Sequence, residues 1–213
     1  MKQEDYLQSL LSEPSKPVKD MESYAKEHSV PIMEPLGIDF LMQLLRIQRP
    51  DNILEIGTAI GYSALRMLEA CPGCTITTIE RDEERYKDAL GNIKEWKAEA
   101  QITVLHGDAL EVVDKVKSRG PFDVLFIDAA KGKYEQFFHL YTPLLTEDGV
   151  IISDNVLFKG YVADDQAATP RMAKIAGKIR DFNEWLVRNP HYHTTIIPIG
   201  DGVAITKKRP QQD

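Results

Sequence analysis

The chain has 213 residues, of which 43% are hydrophobic and 28% charged, with a formal net charge of -7. That length supports a single domain with one sizeable core, and the acidic balance excludes a protein that coats nucleic acid without specificity, although a local basic patch can still grip one RNA. The start, Met1-Lys2-Gln3-Glu4-Asp5, carries carboxylates where a secretory leader has an apolar core, and no apolar run reaches membrane-spanning length; a soluble, cytoplasmic protein without a membrane partner is expected.

Residues 1–50 read as helices over 3–11, 17–28 and 35–46, punctuated by Pro14, Pro17, Pro31 and Pro35, and are expected to form a cap over one end of a sheet. From 51 to 213 strand and helix signals alternate, which calls for parallel strands with helical crossovers. The predicted strands are 52–57, 75–80, 101–106, 122–128, 147–153, 192–198 and 202–207. The predicted helices are 61–70, 82–97, 108–117, 134–143 and 170–188. Gly200-Asp201-Gly202 is too short for a crossover, so the last two strands must pair antiparallel. The fold class is α/β: a seven-stranded, mostly parallel open sheet with an antiparallel C-terminal hairpin.

The first strand, Asn52 to Ile56, runs into Gly57-Thr58-Ala59-Ile60-Gly61-Tyr62-Ser63 and then restarts as a helix. Gly57 and Gly61 let the backbone approach a ligand, and the amides at the start of the following helix favour polar atoms there. Ligands of such sheets sit outside the carboxyl ends of the strands, and here five consecutive ends carry an acid: Glu55, Glu80, Asp108, Asp128 and Asp154. Glu80 lies 23 residues beyond Gly57, the separation at which a carboxylate meets the hydroxyl pair of an adenosine ribose. A Gly-x-x-x-Gly loop in place of Gly-x-Gly-x-x-Gly, the lack of a Tyr-x-x-x-Lys pair, and Asp108 placed to accept from an adenine amino group favour S-adenosylmethionine over a dinucleotide. Glu80 and Asp108 also suit the plainer task of capping the helices after them.

Asp128, Asp154 and Asn155 bring three hard oxygen donors from two neighbouring strand ends, a set suited to magnesium, manganese or calcium rather than zinc. Lys131 can reach the same place as a general base or as a fixed charge, whereas Lys133 reads as a solvated loop residue. Cys71-Pro-Gly-Cys74 has no second ligand pair and reads as a turn with two reduced thiols, and none of the five histidines has a metal-ligand spacing.

With Glu55-x-Gly57-x-x-x-Gly61-Tyr62-Ser63, Asp128-Ala129-Ala130-Lys131, Ser153-Asp154-Asn155 and Pro198-Ile199-Gly200-Asp201-Gly202, the chain resembles the metal-dependent class I O-methyltransferases, a Rossmann-like family that includes catechol and caffeoyl-coenzyme A O-methyltransferases. Val30 to Glu34, Phe137 to Tyr141 and Asp154 to Gly160 look most like the bacterial tRNA 5-hydroxyuridine methyltransferases of the TrmR type. The resemblance implies that Met33, Ser63, Glu80, Asp108 and Ala109 touch S-adenosylmethionine beside the Gly57/Gly61 loop, Glu55 and Asp128; that Asp128, Asp154 and Asn155 hold magnesium; that Lys131 assists deprotonation with Asp128; and that the protein is a homodimer. The implied acceptor is 5-hydroxyuridine at the tRNA wobble position, with a small catechol-like or caffeoyl-CoA-like molecule as the alternative and a noncatalytic nucleotide-binding module as the reading of another class. For an anticodon loop, Lys159, Arg171 and Lys174 are the candidate contacts, within a stretch that also holds Lys178 and Arg180 against Asp164 and Asp165; a solvated amphipathic helix over 170–188 explains the same charges.

Overall fold

A computed structural model describes residues 3–129, 132–164, 166 and 168–210. Lys131, Ala130 and Asp165 lie outside the described residues. The strands are β1 (Asn52–Ile56), β2 (Thr75–Glu80), β3 (Ile102–His106), β4 (Phe122–Ile127), β5 (Leu145–Ser153), β6 (Tyr192–Ile197) and β7 (Val203–Lys208). The helices are α1 (Gln3–Ser9), α2 (Lys16–Glu27), α3 (Pro35–Gln48), α4 (Tyr62–Ala70), α5 (Glu83–Glu95), α6 (Val113–Lys117), α7 (Tyr134–Tyr141) and α8 (Pro170–Arg188).

Among the described residues the strands form one seven-stranded sheet in the order β3-β2-β1-β4-β5-β7-β6. The pairs from β3 through to β5 are parallel. The C-terminal hairpin is antiparallel, as its short turn requires, and β7 inserts between β5 and β6, so β7 is the strand that runs against the others. Strand order reverses at β1, whose neighbours are β2 and β4, and this reversal opens a crevice at the carboxyl ends of β1 and β4.

The central strands are covered on both faces, which is why β1 reads as an apolar run without alternation. Ile53 joins Val124, Phe126, Ile76 and residues of α2 to α5 on one face, while Leu54 and Ile56 join Leu125, Ile127 and residues of α6, α7 and α8 on the other. Burying each such side chain contributes about 1.5–3 kcal/mol, so β1 is firmly seated. The chain just before α3 and its first turn reach the carboxyl ends of the strands: Gly37 lies beside Gly200 of the β6–β7 turn.

The predicted helix over 108–117 shortens to α6, five residues long. Asp108 is the reason: its carboxylate accepts from the amide of Leu110 at 2.9 Å and its carbonyl from those of Glu111 and Val112, a local turn that competes with helix. The cysteines are free: Cys74 donates its amide to the carbonyl of Cys71 in a tight turn, and burial pushes its thiol up to about 12.

Candidate active site

A cleft of about 930 Å³ opens at the strand reversal, and it takes in Met33, Gly57, Ser63, Glu80, Asp108, Ala109, Asp128, Asp154 and Asn155 together. Gly57 turns β1 into the loop with φ 107°, and a Cβ there would lie 1.9 Å from the carbonyl oxygen of Asp128. The loop thus touches the end of β4 directly, and Asp128 in turn donates its amide to the carbonyl of Ile56 at 3.0 Å.

Glu80 holds the loop from the other side. One carboxylate oxygen accepts the amide of Ala59 at 2.8 Å, and the second accepts the amides of Arg81 and Asp82, each at 2.9 Å. The cap of α5 is Asp82, whose carboxylate accepts the amide of Arg85 at 3.0 Å, so Glu80 braces the loop and the strand end instead of capping the helix; a carboxylate has lone pairs for about four bonds, and three are used by backbone here.

Glu55 and Gly61 do not line the cleft. Glu55 is 0% exposed, and its carboxylate accepts hydrogen bonds from the hydroxyls of Ser63 and, at 2.5 Å, Thr78, its register partner on β2. Thr78 shares a further 2.6 Å bond with Thr58 of the loop. Glu55 is thus a buried brace under the loop rather than a ligand contact, a role that depends on the cross-strand position of Thr78 and so leaves no local sequence signal. Gly61 caps α4 with φ 83° and packs against Ala89.

Burial raises the Glu55 carboxyl to about 7, with Asp128 and Glu80 adding to the effect and the Ser63 and Thr78 hydroxyls opposing it. Between 4.5 and about 7 the folded chain keeps a proton that the unfolded chain has lost, so stability is full below 4.5 and falls as pH rises through that window, by on the order of 3 kcal/mol. Glu55→Gln removes this slope. In denaturant unfolding at pH 5 and pH 8, the stability of the Gln variant relative to the parent is expected to rise with pH; parallel profiles would contradict the brace.

Directly after β5 comes Asp154, which is 3% exposed and donates its amide to the carbonyl of Ile127 at 3.0 Å. The buried Tyr134 hydroxyl donates to the Asp154 carbonyl at 2.9 Å, and burial, then the charges of Asp128 and Asp154, keep that phenol protonated. Asn155 follows with φ 57°, and its amide nitrogen donates to the Asp154 carboxylate at 3.1 Å. Asp128, Asp154 and Asn155 all line the cleft. Among the described residues no group of three His, Cys, Asp or Glu side chains gathers as a metal cluster, so any ion here would rest on two carboxylates and one carboxamide.

Lys159 and Arg171 line the rim and are exposed; Lys174 is exposed but off the cleft, because one helical turn beyond Arg171 it is Ile175 that faces the opening. Arg180 is held inward by a 2.9 Å bond from its Nε to the carbonyl of Val162, which removes it from the candidate contacts. Lys133, read as solvated, is exposed but lines the cleft, as do Glu34, Tyr62, Phe137 and Asp201, none of which the strand-end rule reaches.

A family model described as O-methyltransferase matches residues 9–209. The chain belongs to the O-methyltransferase family. It is 32% identical over 174 residues to a catechol O-methyltransferase of Niastella koreensis, covering 78% of this chain and 77% of the relative. It is 30% identical over 202 residues to the caffeoyl-CoA O-methyltransferase of Medicago sativa, covering 90% and 81%. Among solved structures, a Staphylococcus aureus protein provisionally called a caffeoyl-CoA O-methyltransferase superposes with TM-score 0.91 at 37% identity, covering 97% of this chain and 99% of that one. An O-methyltransferase of Bacillus cereus, solved with S-adenosylhomocysteine, gives TM-score 0.82 at 27% identity, covering 97% and 96%. Membership makes the chain an enzyme and sets aside the noncatalytic nucleotide-binding module.

Proposed function

We propose that this methyltransferase moves the methyl group of S-adenosylmethionine to one oxygen of an acceptor that carries two adjacent oxygens, and that the acceptor is 5-hydroxyuridine at the wobble position of tRNA. The observation that carries the first half is the meeting, in one cleft, of the Gly57 loop and Glu80 with Asp128, Asp154 and Asn155. The Bacillus cereus relative, which binds S-adenosylhomocysteine, supports the donor.

The Glu80 carboxylate, fixed by three backbone amides, is proposed to meet the ribose hydroxyls of the donor, and Asp108 the adenine amino group; their common place in the cleft supports this. Gly57, Ser63, Met33 and Phe137 line the same cleft and are the residues proposed to receive the sulfonium end of the donor. Asp128, Asp154 and Asn155 suit magnesium, since all three side chains carry hard oxygens and all three line the cleft. When bound there, the ion lowers the pKa of an acceptor hydroxyl and fixes its direction. In the transfer a lone pair on one acceptor oxygen forms the new bond to the methyl carbon, the carbon–sulfur bond breaks with its electrons going to sulfur, and the hydroxyl proton leaves to a base. Lys131 is the proposed base or fixed charge beside the forming alkoxide.

For the tRNA acceptor, the exposed Lys159 and Arg171 at the rim support phosphate contacts, with Lys174 and Lys178 further along α8. A wobble base is single-stranded and can be splayed into such a cleft. A small catechol or caffeoyl-CoA acceptor is the second reading, favoured by the names of the Niastella and Medicago relatives. The two separate in one assay: tRNA from a strain lacking this protein, incubated with enzyme, magnesium and S-adenosylmethionine, and digested for nucleoside mass spectrometry. Conversion of 5-hydroxyuridine to 5-methoxyuridine, falling steeply with salt, is expected. Unmodified tRNA alongside rapid methylation of a free catechol would overturn the tRNA acceptor.

A further inference from the structure

The closing turn between β6 and β7 takes no part in the chemistry just described, yet it is bonded to the loop that carries Asp154 and Asn155. The amide of Val156 donates to the carbonyl of Gly202 at 3.0 Å and that of Leu157 to the carbonyl of Asp201 at 2.9 Å. The amide of Lys159 donates to the Asp201 carboxylate. Contact is close enough that a Cβ on Gly202, which sits at φ 87°, would meet the Leu157 amide nitrogen at 2.8 Å. On its other flank the loop is held by Asn183, whose buried amide donates to the Val156 carbonyl at 2.7 Å.

This loop needs holding. Asn155, Phe158 and Lys159 have φ of 57°, 44° and 56°, the left-handed region that residues other than glycine rarely adopt. Such backbone persists only where its surroundings over-determine it. Asn183 fixes the start of the loop; the side chain of Asp201 is the acceptor that reaches its far end at Lys159.

We propose that Asp201 is a positioning residue: its carbonyl and its carboxylate clamp residues 157–159, and through them set the direction of Asp154 and Asn155 in the cleft. The role is conformational and requires a hydrogen-bond acceptor at Asp201, not a charge. Its kinetic consequence rests on the methyl transfer proposed above; its structural consequence does not.

Asp201→Ala and Asp201→Asn, made in the full chain, test it by amide hydrogen exchange over residues 156–160 and by steady-state kinetics. In the Ala variant, protection of that segment is expected to fall about tenfold or more, and kcat by about tenfold to a hundredfold, since small misplacements of reacting groups carry costs of that order. The KM for S-adenosylmethionine should stay within about threefold, because Gly57, Glu80 and Asp108 lie on other strand ends. Asn keeps the acceptor oxygen and should recover both exchange protection and kcat to within about threefold of the parent. Parent-like exchange in the Ala variant, or an Asn variant as impaired as Ala, overturns the proposal. If Ala does not fold, the Asn variant decides alone, with lost protection as the refuting result. If methyl transfer itself fails with every acceptor, the exchange comparison still stands, so the two failures are distinguishable.

Discussion

Gly57→Ala is expected to abolish binding of the methyl donor and to reduce kcat/KM by about a hundredfold or more. Two effects add. The backbone at Gly57 has φ 107°, and the new Cβ would overlap the carbonyl oxygen of Asp128 at 1.9 Å, with the carbonyl carbon at 2.8 Å. Holding a side chain in that region costs about 1–3 kcal/mol. The overlap cannot be relieved by a side-chain rotation, because the atom it meets is main chain at the end of β4. Either the loop retreats from the cleft or Asp128 does, and a displacement of about 1 Å at reacting groups can cost about a hundredfold. Two other glycines give the controls. Gly61 has φ 83° but ordinary room, its Cβ meeting Ala89 at 3.6 Å, so Gly61→Ala should lose stability while keeping most donor affinity. Gly73 has nothing within 4 Å of its Cβ, and its alanine variant should behave as the parent. Calorimetric titration with S-adenosylhomocysteine, paired with thermal unfolding, separates the three; a Gly57→Ala affinity within about threefold of the parent would contradict the close contact between loop and strand end.

Asp154→Asn should reduce kcat by about a hundredfold or more while S-adenosylhomocysteine still binds within a few fold. Asn is isosteric, so the backbone anchors at Ile127 and Tyr134 survive and the loop keeps its course. What is lost is one of the two negative charges among the three oxygen-bearing side chains. Removing a single electrostatic contact from an active site typically costs about a hundredfold to a thousandfold in kcat, whereas the proposed donor contacts, Glu80 and Asp108, lie at other strand ends. Single-turnover rates with labelled donor measure the first effect and calorimetry the second. Equal losses in both would mean that Asp154 supports the whole cleft rather than the acceptor end.

Much of this was legible in the chain because the signals are local. The apolar run of Asn52 to Ile56, broken by Gly57, is a strand and its turn in one reading, and the acids at 80, 108, 128 and 154 follow from the rule that strand ends carry the site. The antiparallel hairpin followed from a turn too short to cross over. What was not legible is nonlocal. Glu55 read as a ligand contact, because sequence cannot tell which face of a strand a carboxylate takes; the structure turns it under the loop, to Ser63 and Thr78. The β6–β7 turn was a motif without a task until the loop after β5, more than forty residues earlier, came to lie on it. Arg180 counted as a free cation in a charge sum and is bonded to a backbone carbonyl. The shortened α6 is a different kind of difference: Asp108 has the residue type of both a helix cap and a competing turn, and the turn prevails.

The proposed methyl transfer rests on Asp128, Asp154 and Asn155 acting together on a hard divalent ion at the acceptor end of the cleft. Methyl transfer from labelled S-adenosylmethionine, measured on enzyme stripped with EDTA and then titrated with magnesium, tests it most directly. Turnover should vanish on chelation and return with added magnesium in the parent, and return poorly in Asp154→Asn. A full rate in excess EDTA would contradict the claim.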